Sequence, residues 1–337
     1  MYESLHNHTI ASDGSQTYLE VLESARQNGV GLVAFTDHDM LPSETDLTTL
    51  ALYEGPTKWL LGCEISSGMP HELGGGPVSS LHVLGLFTDP DDAALQKHCR
   101  KALAARNERM ERIVANLKGL GFTISVKDCL DASGGESVGR PHIVKALFSH
   151  PENDAIIDQI KADMEAAAKT DMDLAMKYMR LLERDRSDYP YRLFLSDDSF
   201  ISNIYVNYLY SVDFDTAVKL IRGAGGVAVL AHWFTVGRSG FSLELLESML
   251  RDGRLDGIEL MGRPDNGEAV ASLPALRAIA ERTGCLTTFG IDGHSARHIQ
   301  TFASDRTLAD ETVGQTKRLI ERYKPDLDWT NFPDGLI

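Results

Sequence analysis

The sequence is short of the features that staple, anchor or steer many proteins. It has four cysteines, Cys63, Cys99, Cys129 and Cys285, with no CxxC pair among them. No disulfide framework and no thiolate zinc site is therefore indicated. Positive charge is scarce, with 33 Lys and Arg against 49 Asp and Glu and a formal charge of −16. A chain this acidic gains nothing from long-range attraction to nucleic acid or an anionic membrane. Any phosphate it binds must be held by a local positive centre, and metal ions are the obvious kind. No apolar run approaches the roughly 18 residues needed to cross a bilayer. The segment Met1–His6 has no basic stretch leading into an apolar one, so no signal peptide is read. The expectation is a soluble, cytoplasmic protein with no membrane contact, no long nucleic-acid partner and no readable protein partner.

What is present is globular. The chain is 43% hydrophobic and 24% charged over 337 residues, enough to bury a sizeable core without staples. Its length predicts two domains, or one large α/β barrel carrying an insertion. Strand-like runs fall at 4–10, 31–37, 59–66 and 81–87, with helical stretches at 17–28 and 43–53. Ser43 reads as the N-cap of the second helix, with Asp46 three residues on. Alternating βα units imply a parallel sheet. From 91 to 212 the pattern turns helical. An amphipathic stretch over 93–120 carries Met110, Ile113, Leu117 and Leu120 on one face. Strands return at 226–232, 257–260 and 286–292. The expected architecture is a distorted seven-stranded (β/α)7 TIM-like barrel over 1–90 and 213–305. A helical insertion occupies 91–212, and one more helix and an irregular tail follow over 306–337.

Histidines and carboxylates gather at the proposed strand ends. His6 and His8 stand at i, i+2 on the first strand and share a face. Asp13 follows just beyond, and the second strand ends in Thr36-Asp37-His38-Asp39. Glu64 lies near the end of the third, His82 early in the fourth, His232 at the end of the fifth, and Asp292 and His294 at the end of the last. In a (β/α) barrel such ends converge on one mouth. A single HxH or DxH is weak evidence, but nine such donors at one rim, crowded together without cations, would repel or go unsatisfied. Imidazole and carboxylate without thiolate suit zinc, manganese or iron and argue against a structural zinc site. Asp37 and Asp39 are either outer partners fixing the His38 ring or caps for backbone donors. His71, His98, His150 and His298 have no supporting context and read as surface or structural residues.

Taken together, His6-x-His8, Asp13-Gly14, the Thr36–Asp39 run, Glu64, His82, Ala231-His232 and Asp292-x-His294 resemble the PHP (polymerase and histidinol phosphatase) family in its metal-dependent phosphoesterase branch. Gly139-Arg140-Pro141-His142 resembles that branch's GRPH element. The resemblance implies two to three divalent ions in a trinuclear site. His6, His8, Glu64 and Asp292 would hold the first. Glu64 would bridge to a second completed by His82 and His232, and Asp13, His38 and His294 would hold the third. It further implies that Arg140 and His142, with Arg106 on the long helix, bind a substrate phosphate, as the arginine fork suits. Arg109, one turn on, reads as part of a solvated face. Met40, Trp233 and Ile291 depart from the usual pattern, which touches substrate preference and no ligand.

The activity implied is hydrolysis of phosphate esters by a metal-bridging hydroxide attacking in line. Three divalent ions against Asp13, Glu64 and Asp292 leave an excess of about three positive charges for a phosphate dianion. Small nucleotides such as 3′,5′-nucleoside bisphosphates rank first as substrates, with a cyclic phosphodiesterase or a 5′→3′ exonuclease on short oligonucleotides as alternatives. An amidohydrolase acting on C–N bonds also places HxH on a first barrel strand, but no lysine is available at a strand end to be carboxylated. A non-catalytic metal-binding module predicts missing ligands, and none is missing.

Overall fold

The computed structural model describes residues 1–76, 81–236, 240–261 and 267–326. The chain divides into two compact units, Met1–Leu103 with Tyr210–Ile337, and Ala104–Leu209.

The first unit opens with β1 (Tyr2–Asn7), α1 (Tyr18–Gln27), β2 (Val30–Phe35), α2 (Glu44–Ala51), β3 (Lys58–Ser67) and β4 (Leu81–Leu86). Both early helices start on reciprocal caps, Thr17 with Glu20 and the expected Ser43 with Asp46. α3 (Ala93–Gly119) follows, and the unit boundary falls within it. The second unit continues through α4 (Val126–Ser133), α5 (Arg140–Phe148), α6 (Asn153–Ala168), α7 (Met172–Leu182) and α8 (Tyr189–Leu193). It has its own core, in which Ile113 and Leu117 pack with Phe122, Leu147, Ile157 and Phe194. The first unit resumes with α9 (Phe214–Gly223), β5 (Val227–Leu230), α10 (Trp233–Val236), α11 (Leu243–Arg251), β6 (Gly257–Met261), α12 (Gly267–Thr283) and β7 (Leu286–Gly290). Beyond it lie α13 (Ala296–Ser304), α14 (Arg306–Glu311) and α15 (Gln315–Tyr323). Among the described residues two helices thus stand after position 305 where one was expected. The break between them is anchored by buried Glu3, which accepts the Gly314 and Thr316 N–H groups.

Among the described residues seven strands form one sheet in the order β1-β2-β3-β4-β5-β6-β7. The expectation of an all-parallel sheet needs correction, because β4 runs antiparallel to both β3 and β5 while the other pairs are parallel. The physical reason lies in the β3–β4 connection. Its described part holds only a one-turn 3-10 helix, His71–Leu73. A parallel return is usually carried by a crossover helix, and none longer than this turn stands among the described residues of the connection. Reversal explains why His82 sits early in its run: a reversed strand begins at the rim where its neighbours end. Register sets His82 opposite Ser66, two residues from Glu64.

At the other side of the order, the end of β1 meets the chain just past β7. The Gly293 carbonyl accepts the His8 N–H at 2.8 Å, and the Gly293 N–H donates to the His6 carbonyl at 3.1 Å. One apolar cluster draws Leu5, Leu32, Leu60, Leu84, Val229 and Leu286 from six of the seven strands. The polar strand ends therefore rest on a packed aliphatic floor, which limits how far their side chains can relax.

Candidate metal centre

The nine donors read from the sequence meet. Glu64, fully buried on β3, lies at their centre. Its Oε2 stands 3.0 Å from His6 Nε2, 3.2 Å from His8 Nε2 and 3.1 Å from His38 Nδ1. Its Oε1 stands 2.9 Å from both His82 Nδ1 and His232 Nε2. Asp292 Oδ1 adds contacts of 3.2 Å to His8 Nε2 and 3.7 Å to His6 Nε2. Asp13 faces His294 Nε2 at 3.4 Å and His38 Nε2 at 3.9 Å. Three groups have ligand atoms close enough to share an ion: His6, His8, Glu64 and Asp292; His8, Asp13, His38 and His294; and His38, Glu64 and His82.

The hydrogen-bonding chemistry fits cations. His6 Nδ1 faces Glu259 Oε1 at 2.8 Å, and His294 Nδ1 faces the Asp292 carbonyl at 2.8 Å. Both partners accept only, so both Nδ1 atoms carry hydrogen and each Nε2 presents a lone pair when the ring is neutral. Those lone pairs point at carboxylate oxygens. Further imidazole nitrogens face one another, His6 Nε2 with His8 Nε2 at 3.1 Å and His82 Nδ1 with His232 Nε2 at 3.2 Å. His38 Nδ1, although near Glu64, is buried without a hydrogen-bond partner. Acceptors packed against acceptors call for protons or metal ions between them.

The titration behaviour shows the same pull. Burial opposes charge on His6, yet Glu259 and Glu64 hold its pKa well above the ordinary value. Burial opposes charge on His8 too, and its hydrogen bonds to Asp292 and Glu64 carry it up to about 10. Burial would raise the carboxyls, but His38 and His6 keep Glu64 well below its usual range, and His294 and His8 do the same for Asp292. At His38 burial prevails over Glu64 and Asp13, and its pKa drops to about 3.

Local backbone strain gathers at the same rim. His232, Asp292 and Asp39 hold positive φ of 25°, 49° and 50°, a conformation that costs a non-glycine residue on the order of 1–3 kcal/mol. Gly14 is required by close approach, since a Cβ there would fall 2.5 Å from the His8 carbonyl oxygen.

The two acids flanking His38 settle as braces. Asp37 accepts the Thr9 N–H at 2.7 Å, the Thr9 hydroxyl at 2.9 Å, the Ser12 hydroxyl at 2.6 Å and the Tyr18 hydroxyl at 3.1 Å. It thereby shapes the loop that delivers Asp13. Asp39 accepts the Ser66 N–H and hydroxyl and pairs with His98 Nε2 at 3.0 Å. His98 in turn reaches the Tyr210 hydroxyl, so it is a buried structural residue. Glu259 escaped the sequence reading. Its one signal was an acid inside the apolar run Gly257–Met261.

In the second unit, Arg106 is buried on α3. Arg109 is buried as well, which corrects its expected solvated face. Its Nε donates to the Val206 carbonyl at 2.6 Å, its guanidinium lies over Tyr208 and Tyr205, and its Nη2 has no hydrogen-bond partner. Two tyrosines nearly a hundred residues away cover it, which helical periodicity alone does not reveal. Arg140 lies over Tyr191 and Tyr205 and opens onto a cavity of about 300 Å³ lined also by Arg184, Arg192, Asp188 and Ser196. His142 is buried, and its Nδ1 accepts the Gly139 N–H at 3.1 Å.

No family model matches the chain. A phosphoribosyl 1,2-cyclic phosphate 1,2-diphosphodiesterase of Eggerthella lenta is 29% identical over 295 residues, covering 87% of this chain and 94% of that protein. A 3′,5′-nucleoside bisphosphate phosphatase of Chromobacterium violaceum is 24% identical over 296 residues, covering 86% of each. Among solved structures, a Bifidobacterium adolescentis protein described as a metal-dependent phosphoesterase shares 29% identity over 87% of both chains, with a TM-score of 0.62. The chain is thus similar over most of its length to phosphoesterases, one of them described as metal-dependent, as its motifs implied. No described helix is long and apolar enough to cross a membrane.

Proposed function

We propose that this protein hydrolyses phosphate esters of small nucleotides, 3′,5′-nucleoside bisphosphates first among them, at a trinuclear metal site. The observation that carries the reading is Glu64, whose two oxygens divide five imidazole nitrogens between them. A carboxylate so placed would be suited to bridging two ions, with His6 and His8 at one oxygen and His82 and His232 at the other. His6, His8, Glu64 and Asp292 would hold one ion, Glu64, His82 and His232 a second, and Asp13, His38 and His294 a third. Zinc, manganese or iron suits these donors. When bound, such ions supply Lewis acidity toward a phosphoryl oxygen and bring the pKa of a water near neutrality for in-line attack.

The chain's own residues do the rest. Asp37 and Asp39 hold the loops on either side of His38 in place. Arg106, Arg140 and His142 are the proposed contacts for a substrate phosphate, making the helical insertion over 91–212 the substrate-binding domain. Arg140 shares its cavity with two further arginines and one carboxylate, a local positive excess within a chain of net charge −16. We further infer that the sheet closes as a distorted (β/α)7 barrel over 1–90 and 213–305, a reading supported by the hydrogen bonds between His6, His8 and Gly293.

The E. lenta relative favours a second reading, cleavage of a cyclic phosphodiester. Phosphate release from purified protein, read together with chromatography of the nucleotide products and with metal content measured on the same sample, tests both. Nucleoside 3′,5′-bisphosphates, cyclic phosphates and short oligonucleotides form the panel. Faster turnover of long single strands than of any small compound would overturn the substrate ranking. Amide or lactam hydrolysis without phosphate release would overturn the reaction class.

A further inference from the structure

Glu259 is a carboxylate sealed inside the first unit, 1% exposed on β6 between Ile258 and Leu260. Burying an ionised acid is costly unless its oxygens are occupied, and each of these has a specific partner. Oε1 lies 2.8 Å from His6 Nδ1, and Oε2 accepts the backbone N–H of His232 at 2.8 Å. We propose that Glu259 is a positioning residue for the metal centre, fixing His6 in the tautomer that presents Nε2 and fixing the backbone that presents His232. The inference rests on the reading that His6 and His232 hold cations.

The geometry joins the two sides of Glu64 through one group. With Nδ1 committed to Glu259, His6 directs Nε2 at Glu64 Oε2, 3.0 Å away. Residue 232 sits at φ +25°, a backbone state that persists only when its surroundings enforce it. The bond from its N–H to Glu259 is one such constraint, and it leaves His232 Nε2 2.9 Å from Glu64 Oε1. Space for this arrangement is reserved at Gly290 on β7. Any Cβ there would fall against both His6 Cβ and Glu259 Oε1. Outer carboxylates of this kind set the ring orientation and basicity of ligating histidines.

The test is Glu259→Gln in the full chain. An amide offers one acceptor to two donors, so either His6 Nδ1 or the His232 N–H must face an NH₂ group. The expected result is a 10- to 100-fold loss of zinc affinity in chelator competition, with an unchanged circular dichroism spectrum. Long-range ¹H–¹⁵N spectra of histidine-labelled, zinc-loaded wild type should show His6 protonated at Nδ1. Asp292→Asn is the reference variant, expected to lose metal outright. Wild-type zinc affinity in Glu259→Gln, while Asp292→Asn loses metal, would overturn the positioning role and leave the metal reading intact. A wild type that binds no zinc would overturn both. Should Glu259→Gln fail to fold, the wild-type spectrum decides, and hydrogen on His6 Nε2 refutes the proposal.

Discussion

Replacing Glu64 with glutamine probes the centre where its geometry is most exacting. The amide keeps the volume but only one acceptor oxygen. If that oxygen takes the Oε2 place, it still serves His6, His8 and His38, and the NH₂ group is turned on His82 and His232. The opposite placement strands three nitrogens in place of two. In either case the three inward carboxylates, Asp13, Glu64 and Asp292, fall to two. Loss of an outer partner costs metal sites about 10- to 100-fold in affinity, and on the proposed reading Glu64 would touch the ions itself, so more than about 100-fold is expected. That corresponds to at least ~2.7 kcal/mol. The fold should survive, because the imidazoles can shed protons and the aliphatic floor beneath them is untouched. The assay is elemental analysis after gel filtration in metal-supplemented buffer, paired with phosphate release from a nucleoside bisphosphate. A Glu64→Gln protein with wild-type metal stoichiometry and turnover within about threefold (~0.65 kcal/mol) of wild type would refute the bridging role.

Other outcomes follow from the same contacts. His8→Ala and Asp292→Asn should each lose metal and nearly all turnover while circular dichroism stays native; full activity in Asp292→Asn would contradict the site. Arg140→Ala should raise KM on the order of tenfold, about 1.4 kcal/mol of binding, at unchanged metal content; an effect on metal loading alone would speak against a phosphate contact. Asp37→Ala strands four buried donors around one lost carboxylate. At roughly 1 kcal/mol or more per bond it should cost about 3–5 kcal/mol in urea unfolding of chelator-treated protein, and a change below about 1 kcal/mol would show that those bonds are not holding the loop. Chelation of wild type should lower the melting temperature, since ions at a hundred times their Kd stabilise by about 2.7 kcal/mol. A melting curve indifferent to metal would argue against ions bound within the fold.

What was legible in the sequence was whatever a short window encodes. The i, i+2 spacing of His6 and His8 put both on one face, and apolar runs bounded by glycines and caps marked all seven strands within a few residues. Direction was not legible. The run at 81–87 is equally apolar read either way, and only the kind of connection before it decides that β4 is reversed. The surroundings of Arg109 were hidden for a related reason, since the tyrosines over it arrive from another part of the chain. Glu259 was missed because a lone acid in a short apolar run has no periodicity to betray it. Its partners His6 and His232 lie 253 and 27 residues away.

The residues missed or left open share one physical role. Asp37, Asp39 and Glu259 are all buried acids just outside the nine donors, and each adds side-chain bonds between elements at that rim. Asp37 binds the end of β2 to the loop after β1 and to Tyr18 on α1. Asp39 binds the same turn to Ser66 on β3 and His98 on α3. Glu259 binds β6 to β1 and to the residue following β5. For stability alone this is a poor choice, because well-packed apolar residues would often serve as well as buried ion pairs or better. Strain at residues 39, 232 and 292 points the same way. A rim that accepts both costs is organised around holding six imidazoles and three acids in fixed places before any ion arrives. On the proposed reading, that preorganisation would let a chain of net charge −16 gather cations at one spot for a phosphate.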